Sequence, residues 1–241
     1  PPELLPTPGT WHFTFYADDP SVTRVDCGAV HRVDSLSGVA SVYVEFVVVS
    51  VGTLDATTIQ TDPGWLAALD ALEAAWSSGG LSPTYGYADF RGDVDKYAGV
   101  DLIGDDYSEF NDLLRTANPA GSRTLTVFLV EEISSGGGAT ILGLAGGPPG
   151  GAALNGTSKS GMIVTTAGLA ATPADVGKII AHEGGHFLGL YHTTEKDGSR
   201  SDPLGDTPTG GASSSNLMWW TLADGPGTLT GDQSFVVRSN P

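Results

Sequence analysis

Three of the chain's five histidines, His182, His186 and His192, fall within one short segment. Imidazole nitrogen is an ordinary zinc ligand. On a helix, residues four apart share a face about 5–6 Å apart, so His182 and His186 can hold one zinc between them. Glu183 does not reach that metal easily, but it does reach a water on it, where hydrolysis needs a general base. A continued helix would turn His192 away from the first pair. Gly189 removes that obstacle, because glycine enters left-handed conformations cheaply and lets the chain reverse. Three neutral imidazoles then leave a fourth position open for water. The five fixed positions of His-Glu-x-x-His-x-x-Gly-x-x-His arise by chance in a chain this long about once in ten thousand. We therefore read the segment as a zinc site. Gly184 and Gly185 each cost a helix about 0.5–1 kcal/mol relative to alanine. Such a pair points to close approach by another part of the chain or by substrate.

The segment needs a helix to carry it. Thr172 is placed to cap one, Pro173 to open it and Asp175 to favour its positive end. Val176, Ile179, Ile180 and Phe187 form its apolar stripe, and Gly189 should end it. A second helix is expected over 62–77, capped by Asp62 with Pro63 in its first turn and Gly79 beyond its end. Trp65, Leu69, Leu72 and Trp76 share one face of it. Shorter helices are expected near 107–117 and around 230–238. Strands are expected at 11–17, 39–51, 84–91, 123–133, 139–145 and 161–166, with a Gly/Pro-rich loop from Gly146 to Gly156. The chain should be loop-like from Gly189 through Gly211. Strands alternating with helices give an α/β (α+β) layer followed by a less regular lobe.

Acidic residues outnumber basic ones 28 to 11, a net charge of -17. Such a surface repels nucleic acid and anionic membrane, which need Lys and Arg contacts. It reads as solubility in an exposed environment, or in part as carboxylates that bind calcium. Cys27 is the single cysteine, so no disulfide can form within the chain. No run of about 18 apolar residues exists to span a membrane. The first residues carry the pattern of neither a signal nor a transit peptide.

The segment 182–192 resembles the metzincin clan of zinc endopeptidases, whose signature it matches in full. That clan also has a tight turn with a methionine beneath the metal, and Asn216-Leu217-Met218-Trp219 is similar to it. A core methionine is the plainer alternative for Met218. Within the clan, residues 186–193, Gly205-Asp206-Thr207-Pro208 and Leu229-Thr230-x-x-Gln233 resemble the pappalysin (cytophagalysin) family. The likeness covers roughly residues 40–241. It departs at Trp220, where that family carries a tyrosine thought to help bind the reaction intermediate, and in having no disulfides.

The resemblance implies a metzincin-like fold: a twisted, mostly parallel sheet with an antiparallel edge strand, backing helices, an active-site helix and an irregular C-terminal lobe. Residues 1–38 would be a β-rich extension or pro-like segment. Residues 39–241 would be the catalytic domain, with 39–189 as its upper and 190–241 as its lower part. The implied protein is a secreted zinc endopeptidase acting on protein or peptide substrates, its oligomeric state open. Substrate would pair with Leu142, Gly143, Leu144 and Ala145 as an added strand, with Trp220 nearby. Asp197, Asp202 and Asp206 would bind calcium, or form an acidic turn. Asp224 or Asp232 would select a basic side chain, or be solvated loop carboxylates. Cys27, in Asp26-Cys27-Gly28, would hold a precursor latent by occupying the zinc's open position, or be an ordinary buried cysteine. A catalytically silent, peptide-binding relative is the alternative function. A structural zinc protein is disfavoured, since closed four-ligand sites are rich in cysteine.

Overall fold

A computed structural model describes residues 38–103, 107–118, 124–135, 141–148, 150 and 155–239. The expected strand at 11–17, Cys27, and parts of the expected 139–145 strand and of the 146–156 loop lie outside the described residues.

The principal sheet has five strands: β1 (Ala40–Val48), β2 (Leu81–Asp89), β4 (Thr124–Val130), β6 (Gly143–Ala145) and β7 (Gly161–Thr165). Their order is β2-β1-β4-β7-β6. The first four run parallel and β6 pairs antiparallel with β7, leaving β6 at the edge. This is the mostly parallel sheet with an antiparallel edge strand expected above. Position in the sheet follows from composition. In β4 and β7 every residue is buried, as for strands covered on both faces. At the opposite margin, β2 contains Pro83 and Gly86, which an edge strand tolerates.

Two layers of helix cover the sheet. On one face lie α1 (Pro63–Ser77) and α4 (Pro173–Phe187). Their buried Trp65, Leu72, Trp76, Val176 and Ile180 pack with Val44, Phe46, Val127, Leu129 and Val164. On the other face α3 (Ser108–Arg115) sends Phe110, Leu113 and Leu114 against Phe128, Val130 and Ile163. Alternate residues of β4 thus feed opposite cores, the two-residue period of a strand. Asp62 caps α1 by accepting from Trp65 N–H at 2.9 Å. The indole of Trp76 donates to Ala181 C=O at 3.1 Å, tying α1 to the segment of α4 just before His182.

Several boundaries differ from expectation. Thr172 stands at the start of α4 but its side chain makes no capping bond there; its hydroxyl turns back toward Gly168 C=O. β1 stops at Val48, because the N–H groups of Val49 and Ser50 both turn to Leu129 C=O and Val49 enters the second core. The expected 123–133 strand is two strands. At Glu131 the chain leaves the main sheet, and β5 (Glu132–Ser134) pairs in parallel with β3 (Gly99–Asp101). β3 and the single-turn helix α2 (Val94–Tyr97) are too short to show a period in the sequence. Beyond α4, the described chain has a 3-10 turn at Gly210–Ser213 and a closing helix, α5 (Gly231–Ser239).

Candidate metal centre

The last turn of α4 builds the site. The helix closes with Gly189 at φ +103°, a left-handed backbone. Gly189 N–H donates to His186 C=O and Leu190 N–H to Gly185 C=O, both at 2.9 Å. This pair of bonds is the Schellman closure, which reverses the chain. His192 is thereby returned toward the helix it has just left, as the Gly189 argument required. Its Nε2 stands 3.3 Å from His182 Nε2 and 3.2 Å from His186 Nε2. All three donor atoms lie within 4.8 Å of one another.

The proton inventory explains what this convergence is for. Each ring has an acceptor at its other nitrogen. His182 Nδ1 donates to Leu217 C=O at 2.7 Å, His186 Nδ1 to Leu190 C=O at 2.7 Å, and His192 Nδ1 to Glu195 Oε2 at 3.1 Å. With the protons assigned there from the hydrogen-bond network, three Nε2 lone pairs face one point. Lone pairs so placed repel unless a cation lies among them. Two nitrogens bound to one tetrahedral zinc stand about 3.3 Å apart, so the donor set and its spacing fit that ion. Burial holds His182 down to about 3, helped by the nearby His186 charge and opposed by the Leu217 bond. Burial likewise holds His186 down to about 4. Neutral rings at neutral pH are the ligand form.

Beside His182 lies the turn that carries Met218, since Leu217 C=O meets the His182 ring. Trp219 N–H donates to Asn216 C=O at 3.1 Å, closing a four-residue turn. Met218 is fully buried. A β-carbon added to Gly185 would come within 2.5 Å of Met218 Sδ, and one added to Gly184 within 2.5 Å of Trp76 Cζ2. The two helix glycines therefore admit the turn on one side and α1 on the other. Asn216 and Gln233 form a buried reciprocal amide pair at 2.8 and 3.1 Å, and Asn216 Oδ1 also accepts from Met218 N–H at 2.8 Å. Gln233 belongs to the late segment whose pattern stood out in the sequence, and α5 supplies it.

Glu183 is buried next to His182 on α4. Burial raises its carboxyl to about 8, and a bond from Ala145 N–H opposes the rise. A cavity of about 570 Å³ opens in front of it, lined in part by Leu142, Leu144, Ala145, Tyr191, Glu195 and Trp220. The four β6-region residues and Trp220 singled out in the sequence thus all lie at or beside the cavity wall, and Gly143 is among them. Lys196 Nζ sits 5.7 Å from the centre of a Trp220 ring.

Other expected site residues are not brought to the centre. Asp197 accepts from Ser199 N–H. Asp202 accepts from Leu204 N–H and the Thr207 hydroxyl. Asp206 accepts from the Thr230 hydroxyl and from Asp232 N–H in the first turn of α5. Each carboxylate serves a local turn or helix start, and among the described residues the three do not form one cluster of donor atoms. Neither Asp224 nor Asp232 lines the cavity. Glu195 was not singled out by sequence. A carboxylate three residues beyond the last histidine was its only trace, and no general spacing rule marks it.

No family model matches the chain, and no curated protein matches it. Among solved structures it is similar to metalloproteinase-II from Bacteroides fragilis, at 16% identity and a TM-score of 0.47 over 83% of this chain and 52% of that one. It is also similar to archaemetzincin from Methanopyrus kandleri, at 17% identity and a TM-score of 0.48 over 83% of this chain and 95% of that one. The chain thus spans about half the length of the Bacteroides protein. The assignment of a zinc site rests on the imidazole geometry.

Proposed function

We propose that this protein is a zinc-dependent endopeptidase in which Glu183 is the general base. The single observation that carries the reading is the convergence of three imidazole Nε2 atoms on one point, with a buried carboxyl on the residue after His182 and an open cavity before both. His182, His186 and His192 would hold the ion. Zinc bound there supplies a Lewis acid that polarises the scissile carbonyl and makes water a better nucleophile. Positive charge at the imidazoles drives the Glu183 carboxyl to its ionised form, against the effect of burial. Glu183 then takes a proton from the attacking water and passes it to the leaving amine. Among the described residues no strand pairs with the outer edge of β6, so that edge can accept an extended peptide by strand addition, along Leu142 to Ala145. Trp220 offers the substrate an apolar face and an indole N–H in place of a phenol. Membership of the pappalysin family and a secreted setting belong to the same proposal.

The test is the Glu183→Gln variant with zinc loaded. It should retain stoichiometric zinc and lose peptide hydrolysis by at least about a hundredfold. Unchanged turnover in that variant overturns the base assignment. If wild-type, zinc-loaded protein leaves every member of a peptide library intact, the silent peptide-binding relative becomes the better reading.

A further inference from the structure

We propose that Glu195 is a positioning residue for His192: its carboxylate fixes the tautomer of that ring and strengthens the ring's hold on the metal. The inference rests on the zinc-site part of the reading above.

The three imidazoles differ in what stands behind them. His182 and His186 donate to main-chain carbonyls, Leu217 and Leu190. Only His192 donates to a charged group, Glu195 Oε2 at 3.1 Å. The three also differ in how they are held. His182 and His186 are fixed by α4 itself, whereas His192 lies past the reversal, on a segment without helix or strand, and its side chain is 24% exposed. It is the ligand whose ring orientation the backbone determines least.

Glu195 is well placed to supply what the backbone does not. Its N–H donates to Arg200 C=O at 2.9 Å and its C=O accepts from Gly198 N–H at 2.8 Å. Thr194 and Ser201 form an antiparallel bridge beside it. Between His192 and Glu195 in the chain, Thr193 N–H is tied to Met218 C=O at 2.9 Å. Carboxylate and ring thus stand on one small hairpin, anchored at one end to the methionine turn. The neighbouring cation, Lys196, is directed to the Trp220 ring, so the carboxylate is left to the imidazole.

A carboxylate accepting from Nδ1 keeps the proton there, leaves the Nε2 lone pair free, and raises the basicity of that nitrogen as a ligand. No proton is transferred and no bond other than the hydrogen bond is involved. The carbonyl acceptors of the other two rings fix tautomer in the same way but carry no full charge. His192 therefore becomes the strongest donor of the three.

The experiment measures zinc affinity by competition with a chromophoric chelator, on the full chain, for wild type, Glu195→Ala and Glu195→Gln. Cobalt(II) spectra of the three proteins give a second readout. Glu195→Ala should bind zinc about 10–100-fold more weakly, with a changed cobalt spectrum. The thermal midpoint of the metal-free variant should match that of metal-free wild type, which a merely structural role would not predict. Glu195→Gln keeps an acceptor oxygen without the charge, so its affinity should fall between the other two. Zinc affinity of Glu195→Ala within about twofold of wild type, with an unchanged cobalt spectrum, overturns the proposal. Should Glu195→Ala fail to fold, Glu195→Gln decides, and identity with wild type in both readouts overturns it equally. Wild-type protein that binds no zinc overturns this inference and the site reading together. Peptide cleavage does not enter the readout, so loss of the peptidase reading alone would be seen separately.

Discussion

Glu183, His182 and His186 lie on one helical turn, and their burial pulls protonation in opposite senses. The carboxyl is raised to about 8 from an ordinary 4.5, so in metal-free protein its contribution to stability is present below pH 4.5 and lost as pH rises through about 8. The two imidazoles are lowered to about 3 and about 4 from 6.5. Their contribution is present above pH 6.5 and lost as pH falls toward those values. In chelated protein, Glu183→Gln should therefore leave the thermal midpoint unchanged at pH 4. At pH 9 it should raise the midpoint by about 10–20 °C, as expected for roughly 4–5 kcal/mol in a chain this long. Scanning calorimetry at the two pH values measures this, and an equal shift at both would refute it. Gly189 is the other decisive single residue. With φ at +103°, Gly189→Ala should cost about 1–2 kcal/mol. Because Leu190 and His192 follow directly, it should also weaken zinc binding, read by the same chelator competition.

At the scale of elements, the site is a junction of three. α4 carries His182, His186 and Glu183, the reversal after it carries His192, and the turn at Met218 packs against Gly185 of α4. That turn is held to α5 by the Asn216–Gln233 amide pair. Asn216→Ala would take away the partners of Gln233 Nε2 and Met218 N–H in the interior, at about 1–3 kcal/mol for each group left unpaired. Thermal unfolding of the metal-free variant should start several degrees lower. Its zinc affinity should fall as well, because Leu217 C=O, which orients His182, stands between Asn216 and Met218. A variant with a lower midpoint but wild-type zinc affinity would show that the turn supports the fold without orienting the ligand.

For the whole molecule, the ion should join parts that are distant along the chain. The ligands come from α4 and from the segment after it, while their supports come from Leu217 and, through Asn216, from α5. Zinc at about a thousandfold over its dissociation constant should therefore stabilise the fold by about 4 kcal/mol. That corresponds to roughly 8–16 °C in the thermal midpoint for a protein of this size. Removing it with a chelator should reverse the shift, and a midpoint indifferent to zinc would count against a metal shared by these parts.

The chemistry was legible in the sequence because it is local. A four-residue spacing on a helix and a glycine at the right place determine where His182, His186 and His192 can go, and structure places their nitrogens as that reasoning required. The helices α1 and α4 were equally legible, since caps, prolines and a 3.6-residue apolar period all act within a few residues of each other. What sequence did not disclose depends on partners far away in the chain. The break of one expected strand into β4 and β5 follows from pairing with β3, which is too short to show a period. Asp197, Asp202 and Asp206 look like a metal cluster along the chain, yet folding assigns each to a separate turn or helix start. Glu195 carries no motif at all: only the hairpin that brings its carboxylate to within 3.1 Å of His192 gives it a part in the site. Residue type and spacing thus determined which three imidazoles meet, while the tertiary fold decided what stands behind them, because hydrogen-bond partners are chosen by distance in space and not along the chain.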